Sequence, residues 1–307
     1  MPIVCFSPTP SNRFHVGLAR TAVISDILTK KLKGALLLRL DDLSRNFTTD
    51  QYETIYSGLR MLGISNDYGP FFQSKRNGIY EKYAEVLVNL GLAYRCTCKR
   101  DLNGLLNGKK YGYNKKCRNK KISKKEDHVI RLKVLPGKTK FYCPLRRKEI
   151  SVDNELLEDV ILLKSDRSAT YPLAYAVDDH LMKVDYRIRS GQIFTTSLIV
   201  YILNSLNWDV PNYIHLGILL SINRNSRLDN CKHKLRKGVI GIKYLENYFE
   251  AGYSKETIYS FLSIIGLNSD NPTGVEYKNI VDNFSLTKIN PRDIALPIHF
   301  LDRINCP

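Results

Sequence analysis

The sequence has no apolar run long enough to cross a bilayer, and its opening, interrupted by Pro8 and Pro10, lacks a signal-peptide pattern. Those absences argue against a membrane partner and leave the cytoplasm as the expected compartment. Cysteine is sparse: seven in 307 residues, an odd number spread unevenly, which without a secretion signal does not read as a disulfide framework. Internal repeats are missing, and with them the solenoid architectures. Acidic residues are also short, 30 against 47 Lys and Arg, leaving a formal net charge of +17. An AT-rich coding sequence would produce a similar bias, so clustering has to separate the readings. Lys109, Lys110, Lys115, Lys116, Arg118, Lys120, Lys121, Lys124 and Lys125 fall in one short insert. That clustering suits a phosphate-facing surface, where each neutralised phosphate releases counterions.

What is present is a globular balance, 43% hydrophobic and 25% charged, in a chain long enough for two or three cores. Ile3-Val4-Cys5-Phe6 reads as a strand running into a proline-rich loop. Val16, Ala19, Ala22, Val23, Ile27 and Leu28 recur at helical spacing, with Lys30 and Lys31 suited to the helix C-terminus. Ala35 to Leu40 is a second buried strand, followed by amphipathic helices over 49–62 and 79–92. This alternation predicts an α/β fold with a Rossmann-like parallel sheet. Residues 94–157 break the rhythm and read as an insertion. The βα pattern is expected to resume with a strand at 160–163, a strand at 171–177 and a helix at 195–206. Helices are expected over 242–251, 255–265 and 275–283. The resulting division is 1–93 and 158–236 for the two halves of the core, 94–157 for the insert and 237–307 for a helical tail.

Three groups of residues could carry chemistry. His15-Val16-Gly17 opens the first helix, where backbone N–H groups and the positive helix end favour a phosphate. A histidine that merely caps a helix is the plainer account of that triplet taken alone. Cys96-x-Cys98 with Tyr113-x3-Cys117 is a candidate tetrahedral zinc site of three thiolates and a phenol oxygen, with Tyr111 as an alternative oxygen ligand. Arg39-Leu40-Asp41-Asp42 ends the second strand, and Val177-Asp178-Asp179-His180-Leu181-Met182 follows Tyr171. There is no obvious Ser/His or Cys/His pair for nucleophilic catalysis.

Taken in this order, these motifs, with Gln73-Ser74-Lys75-Arg76 between them, resemble the class I aminoacyl-tRNA synthetases of the glutamyl type. The resemblance runs from Pro2 to about Asn305. It implies a Rossmann-like catalytic core with an inserted acceptor-binding subdomain and a C-terminal helical stem-contact region. It also implies ATP and Mg²⁺, an amino-acid substrate, tRNA as partner and a monomer. The implied ATP site comprises Pro8, Thr9, Asn12, His15, Gly17, His215 and Arg227. Catalysis falls to His15, Gly17, Arg224, Ser226 and Arg227, since Arg224-Asn225-Ser226-Arg227-Leu228 stands where the family has Lys-x-Ser-Lys.

For the amino acid, the resemblance points to Cys5, Ser7, Thr9, Asp41, Tyr171, Tyr175 and Arg189. Asp41 stands where a glutamate holds the α-amino group, and Cys5 replaces a substrate-binding arginine. The family's Gly-x-acidic continuation after Arg189 is here Ser190-Gly191-Gln192. The expectation is weak activation of glutamate, or activation of a related acid or amide, with glutamate use improved by Cys5→Arg. The cysteine spacing resembles the zinc motif of glutamyl-Q tRNA(Asp) synthetases, an alternative activity. A catalytically impaired paralogue that binds tRNA or a protein is a third reading. By the resemblance, an anticodon-binding domain is expected to begin in full-length glutamyl enzymes where this sequence stops.

Overall fold

The computed structural model describes residues 1–43, 47–98, 113–191, 193–220, 244–265 and 277–295. Its centre is a five-stranded parallel sheet of β1 (Ile3–Phe6), β2 (Ala35–Leu40), β3 (Tyr68–Phe72), β9 (Tyr186–Ser190) and β10 (Asn212–Leu216), in the order β10-β9-β1-β2-β3. Helix α1 (Val16–Lys31) connects β1 to β2. All six residues of β2 are buried, as a strand covered on both faces requires. Val4, Phe6, Leu36, Leu38 and Leu40 pack with Val16, Ala19, Val23 and Ile27 of α1 on one face of the sheet.

The opposite face is polar where it lies under α4 (Tyr171–Leu181). The sequence expectation of a strand at 171–177 is corrected here: the segment is helical, with Pro172 in its first turn. Leu173, Ala174, Tyr175, Ala176 and Val177 are all buried, because the helix is enclosed on most sides. An apolar run without visible periodicity looks the same in a buried strand and in a buried helix. Tyr171, Tyr175, Asp178 and Asp179 recur at helical spacing and are aimed at the sheet through their contacts with Arg189, Arg187 and Arg39.

A second correction concerns residues 160–163. β8 (Ile161–Leu163) does not rejoin the parallel sheet. It pairs antiparallel with β5 (Val129–Leu132), which pairs in turn with β4 (Ala93–Cys96). The insert's own sheet therefore runs past Leu157, and the parallel sheet resumes only at β9. β6 (Lys138–Cys143) and β7 (Lys148–Asp153) form a separate hairpin whose Phe141 ring packs against Tyr213 and His215 of β10.

The remaining helices fall close to expectation: α2 (Thr49–Met61), α3 (Asn77–Asn89), α5 (Ile193–Ser205), α6 (Leu245–Glu250) and α7 (Lys255–Ile264). Of the expected 275–283 helix, the described residues form a tighter turn at Tyr277–Asn279 and then α8 (Ile280–Asn283). Buried Arg20 of α1 joins the tail to the core, donating to the carbonyls of Gly217 at 3.0 Å and Ile265 at 2.9 Å. Burial lowers its pKa to about 10. Among the described residues, no helix is long and apolar enough to cross a membrane.

Candidate active site

A cavity of about 530 Å³ opens at the carboxyl ends of β1, β2 and β9, where the strand order reverses on either side of β1. Parallel sheets place their ligands at such a reversal, because the crossovers on either side part there. The lining includes Ser7, Pro8, Thr9, His15, Gly17, Asp41, Tyr171, Tyr175, Arg187 and Arg189. Residues brought together from four separate segments thus face one space.

His15 is the N-cap of α1. Its Nδ1 accepts from the Gly17 backbone N–H at 3.0 Å, an arrangement that favours the tautomer with its proton on Nε2. Capping and a role at the phosphate are therefore compatible, since each uses a different ring nitrogen. Gly17 has no Cβ to crowd that ring: a Cβ there would lie 3.2 Å from His15 Nδ1.

Asp41 lies beyond the end of β2. Its Oδ2 accepts from Tyr175 Oη at 3.2 Å and from Thr9 Oγ1 at 3.3 Å. Burial raises its pKa, opposed by the Tyr175 hydrogen bond and by Arg187 and Arg39. An ammonium arriving beside it would relieve that penalty. Ser7 donates to Tyr175 Oη at 3.2 Å, and Arg189 donates to Tyr171 Oη. The rings of Tyr171 and Tyr175 lie 3.9 Å apart between centroids, forming an aromatic wall for the pocket.

Not all expected residues meet the cavity. The Cys5 side chain is fully buried with Leu37 and Val184 and is not among the lining residues. Burial pushes its thiol pKa up, against the opposing pull of Arg39 and Arg187. Asn12 accepts from Gln51 Nε2 at 2.7 Å, outside the lining. His215 is 1% exposed, 2.9 Å from Thr196 Oγ1, and burial with nearby Arg189 and Arg146 lowers its pKa to about 3. Arg224, Ser226 and Arg227, with Lys109, Lys110, Tyr111 and Gln192, lie outside the described residues.

Sequence reasoning missed Arg187 and the ion-pair cluster behind it. Asp179 accepts from Arg187 Nη1 at 2.7 Å and Tyr213 Oη at 2.8 Å, and pairs with Arg39 Nη2 at 2.9 Å. Asp178 accepts from Gln73 Nε2, Arg76 Nε and Tyr80 Oη at 2.7–2.9 Å. The signal was present as Arg187-x-Arg189 on a strand, whose period of two puts both guanidinium groups on one face.

A second centre forms at the end of β4. The Sγ atoms of Cys96, Cys98 and Cys117 lie within 4.8 Å of one another. Tyr113 Oη is 3.2 Å from Cys96 Sγ and 3.8 Å from Cys98 Sγ. Burial raises the Cys117 thiol, but hydrogen bonds led by the Thr97 backbone outweigh it and bring the pKa to about 7. Three thiols and a phenol oxygen converging in this way could hold a tetrahedral metal ion. Around it, Lys115, Lys116, Lys120 and Lys121 are exposed. Arg118 corrects the expected phosphate-facing cluster, since it turns inward to Asp159 with Nη2 at 2.6 Å and Nε at 2.9 Å.

A parallel sheet with its cavity at the strand-order reversal, entered by a helix N-terminus, defines a doubly wound α/β domain. Comparison with known proteins narrows that class. The catalytic-domain family described as tRNA synthetases class I (E and Q) matches residues 3–292. The chain belongs to this family. It is 30% identical over 98% of its length to glutamate–tRNA ligase 2 of Caldicellulosiruptor saccharolyticus, covering 66% of that protein. It is 33% identical over 93% of its length to the glutamate–tRNA ligase of Clostridium novyi, covering 61%. The chain thus spans slightly less than two thirds of these relatives. The fold is similar to a crystal structure of a glutamate tRNA ligase from Elizabethkingia meningosepticum in complex with its amino acid. That match has a TM-score of 0.83 at 23% identity and covers 99% of this chain and 68% of the other.

Proposed function

We propose that this protein is an ATP-dependent ligase that activates glutamate as its adenylate and transfers the acyl group to tRNA. The observation that carries the reading is a cavity in which His15 and Gly17, at the start of α1, face Asp41 and a pair of arginines. The substrate ammonium pairs with the Asp41 carboxylate, and the side-chain carboxylate turns toward Arg189, whose guanidinium is oriented by Tyr171. An oxygen of the substrate α-carboxylate then attacks the α-phosphorus of ATP, and the bond from that phosphorus to pyrophosphate breaks. His15 donates to the phosphates through Nε2, and the N-terminus of α1 adds its backbone N–H groups. Mg²⁺ supplies charge neutralisation at the phosphates when bound. The basic segment Arg224-Asn225-Ser226-Arg227-Leu228 assists departure of pyrophosphate. A tRNA hydroxyl finally attacks the acyl carbon and releases AMP. This chemistry requires positioning and charge, with no covalent protein nucleophile.

In the same reading, residues 94–157 bind the acceptor end of tRNA through exposed lysines, and residues 237–307 contact its stem. Cys96, Cys98, Cys117 and Tyr113 hold Zn²⁺, which orders a lysine-rich insert with little apolar content of its own. The protein works as a cytoplasmic monomer. The test is ATP–pyrophosphate exchange with each amino acid in turn, with and without tRNA. Glutamate-dependent exchange is expected; no exchange with any amino acid under either condition would overturn the proposal.

A further inference from the structure

The cavity lining carries two guanidinium groups, Arg187 and Arg189, and one carboxylate, Asp41. A ligand with two carboxylates and one ammonium is the charge image of that wall. Only one of the two arginines belongs to the expected site. The other, Arg187, is 2% exposed and stands two residues earlier on β9, so both side chains leave the same face of the sheet. Its guanidinium carbon lies 3.7 Å from the centroid of Tyr175, the residue whose hydroxyl donates to Asp41. Arg187 and Asp41 therefore contact the same tyrosine, one over its ring and the other at its hydroxyl.

Asp179 fixes the orientation of Arg187 without consuming it. The bond from Arg187 Nη1 to Asp179 Oδ1, at 2.7 Å, uses one N–H of a multi-donor fork. Asp179 has two further partners, Arg39 at 2.9 Å and Tyr213 Oη at 2.8 Å. Its charge would remain paired if Arg187 were removed. A buried guanidinium whose ion-paired carboxylate, Asp179, is shared with a second arginine, and which also faces a cavity, is placed to take an anion from that cavity.

We propose that Arg187 is a specificity-determining residue that binds the side-chain carboxylate of a dicarboxylic α-amino acid together with Arg189. The inference rests on the ligase reading above and names a second cation for the same pocket. Cys5 is the register partner of Arg187 across β1 and β9. A guanidinium grafted at residue 5 on a chain lacking Arg187 would enter the space that Arg187 vacates.

The test measures equilibrium binding of L-glutamate and of its uncharged isostere L-glutamine to the purified protein, with a non-hydrolysable ATP analogue present. Arg187→Val should weaken glutamate roughly 10–100-fold while changing glutamine much less, as loss of a charge-assisted hydrogen bond predicts. Adding Cys5→Arg to Arg187→Val should recover a substantial part of the loss. Arg187→Lys, which keeps the charge beside Asp179 and loses the fork, should fall between wild type and Arg187→Val. It also serves as the test variant if Arg187→Val does not fold, where a glutamate-selective loss of severalfold or more is expected. Equal losses for both amino acids, or unchanged glutamate binding in a folded variant, would overturn the assignment and leave the ligase reading standing. A wild-type protein that binds glutamine in preference to glutamate would overturn it too. Pyrophosphate exchange separately decides the ligase reading.

Discussion

Cys5 and Arg187 are register partners on adjacent parallel strands, one a fully buried thiol and the other a guanidinium aimed into the cavity. The relationship changes what a cation at residue 5 would do. Cys5 is already within the field of Arg39 and Arg187 and is packed by Leu37 and Val184. In the wild-type background, Cys5→Arg should therefore destabilise the fold by roughly 2–4 kcal/mol through overpacking and like-charge repulsion. This reverses the sequence-based expectation of improved glutamate use. Urea denaturation checks it: an unchanged midpoint together with tighter glutamate binding would show that the site has room for both cations.

His15→Ala removes the Nδ1 acceptor of the Gly17 N–H and the ring beside the cavity. Loss of the cap should cost about 1 kcal/mol. Adenylate formation should drop by about 10²-fold or more if the ring donates to the phosphates in the transition state. Single-turnover adenylate formation, compared with the thermal midpoint of the same sample, separates the two effects. A folded variant with wild-type rate would remove His15 from the chemistry.

Metal content gives an independent test of the insert. Protein purified without added metal should carry near-stoichiometric zinc by elemental analysis, and Cys98→Ser should lose it. Cys98 Sγ lies 3.4 Å from Cys117 Sγ, so its removal opens the centre of the donor set. The insert should then become more sensitive to protease. Unchanged metal and unchanged cleavage in the variant would refute the assignment.

Asp159 is a structural keystone of the same region. Its buried carboxylate accepts from Arg118, from Tyr94 Oη at 2.6 Å and from the Val134 backbone N–H at 3.1 Å. Asp159→Ala leaves the Arg118 charge and these donors without their acceptor, at a cost of about 3–5 kcal/mol. Chemical denaturation should show this loss, and lysine substitutions at exposed Lys120 or Lys121 to alanine should cost far less.

Acid stability should carry the mark of His215. Burial, followed by the fields of Arg189 and Arg146, lowers its pKa to about 3, whereas an unfolded chain titrates near ~6.5. Below that unfolded value the unfolded state binds the extra proton, so the contribution is present at neutral pH and lost as pH falls toward the folded pKa. His215→Gln should flatten the decline of the thermal midpoint between about pH 6.5 and 4. An identical pH profile in the variant would assign the decline to other groups.

Much of the framework was legible from local pattern alone. β1, α1 and β2 stand where their periodicity placed them, because the apolar positions and the Lys30-Lys31 end are local signals. The Cys96, Cys98, Cys117 and Tyr113 set could be named from spacing, since a few residues of chain hold its members close. Asp41, Tyr175 and Arg189 were legible as pocket residues through the family resemblance, and the cavity lining includes all three. What the pattern could not decide was non-local. Whether 171–177 is strand or helix turns on burial from several sides, and which sheet receives Ile161–Leu163 depends on pairing with distant Val129–Leu132. Arg118 and Arg187 look like two more cations in a basic chain. Only tertiary structure sends one inward to Asp159 and the other under α4 into the cavity, because a charge is placed by partners that the chain brings from far away.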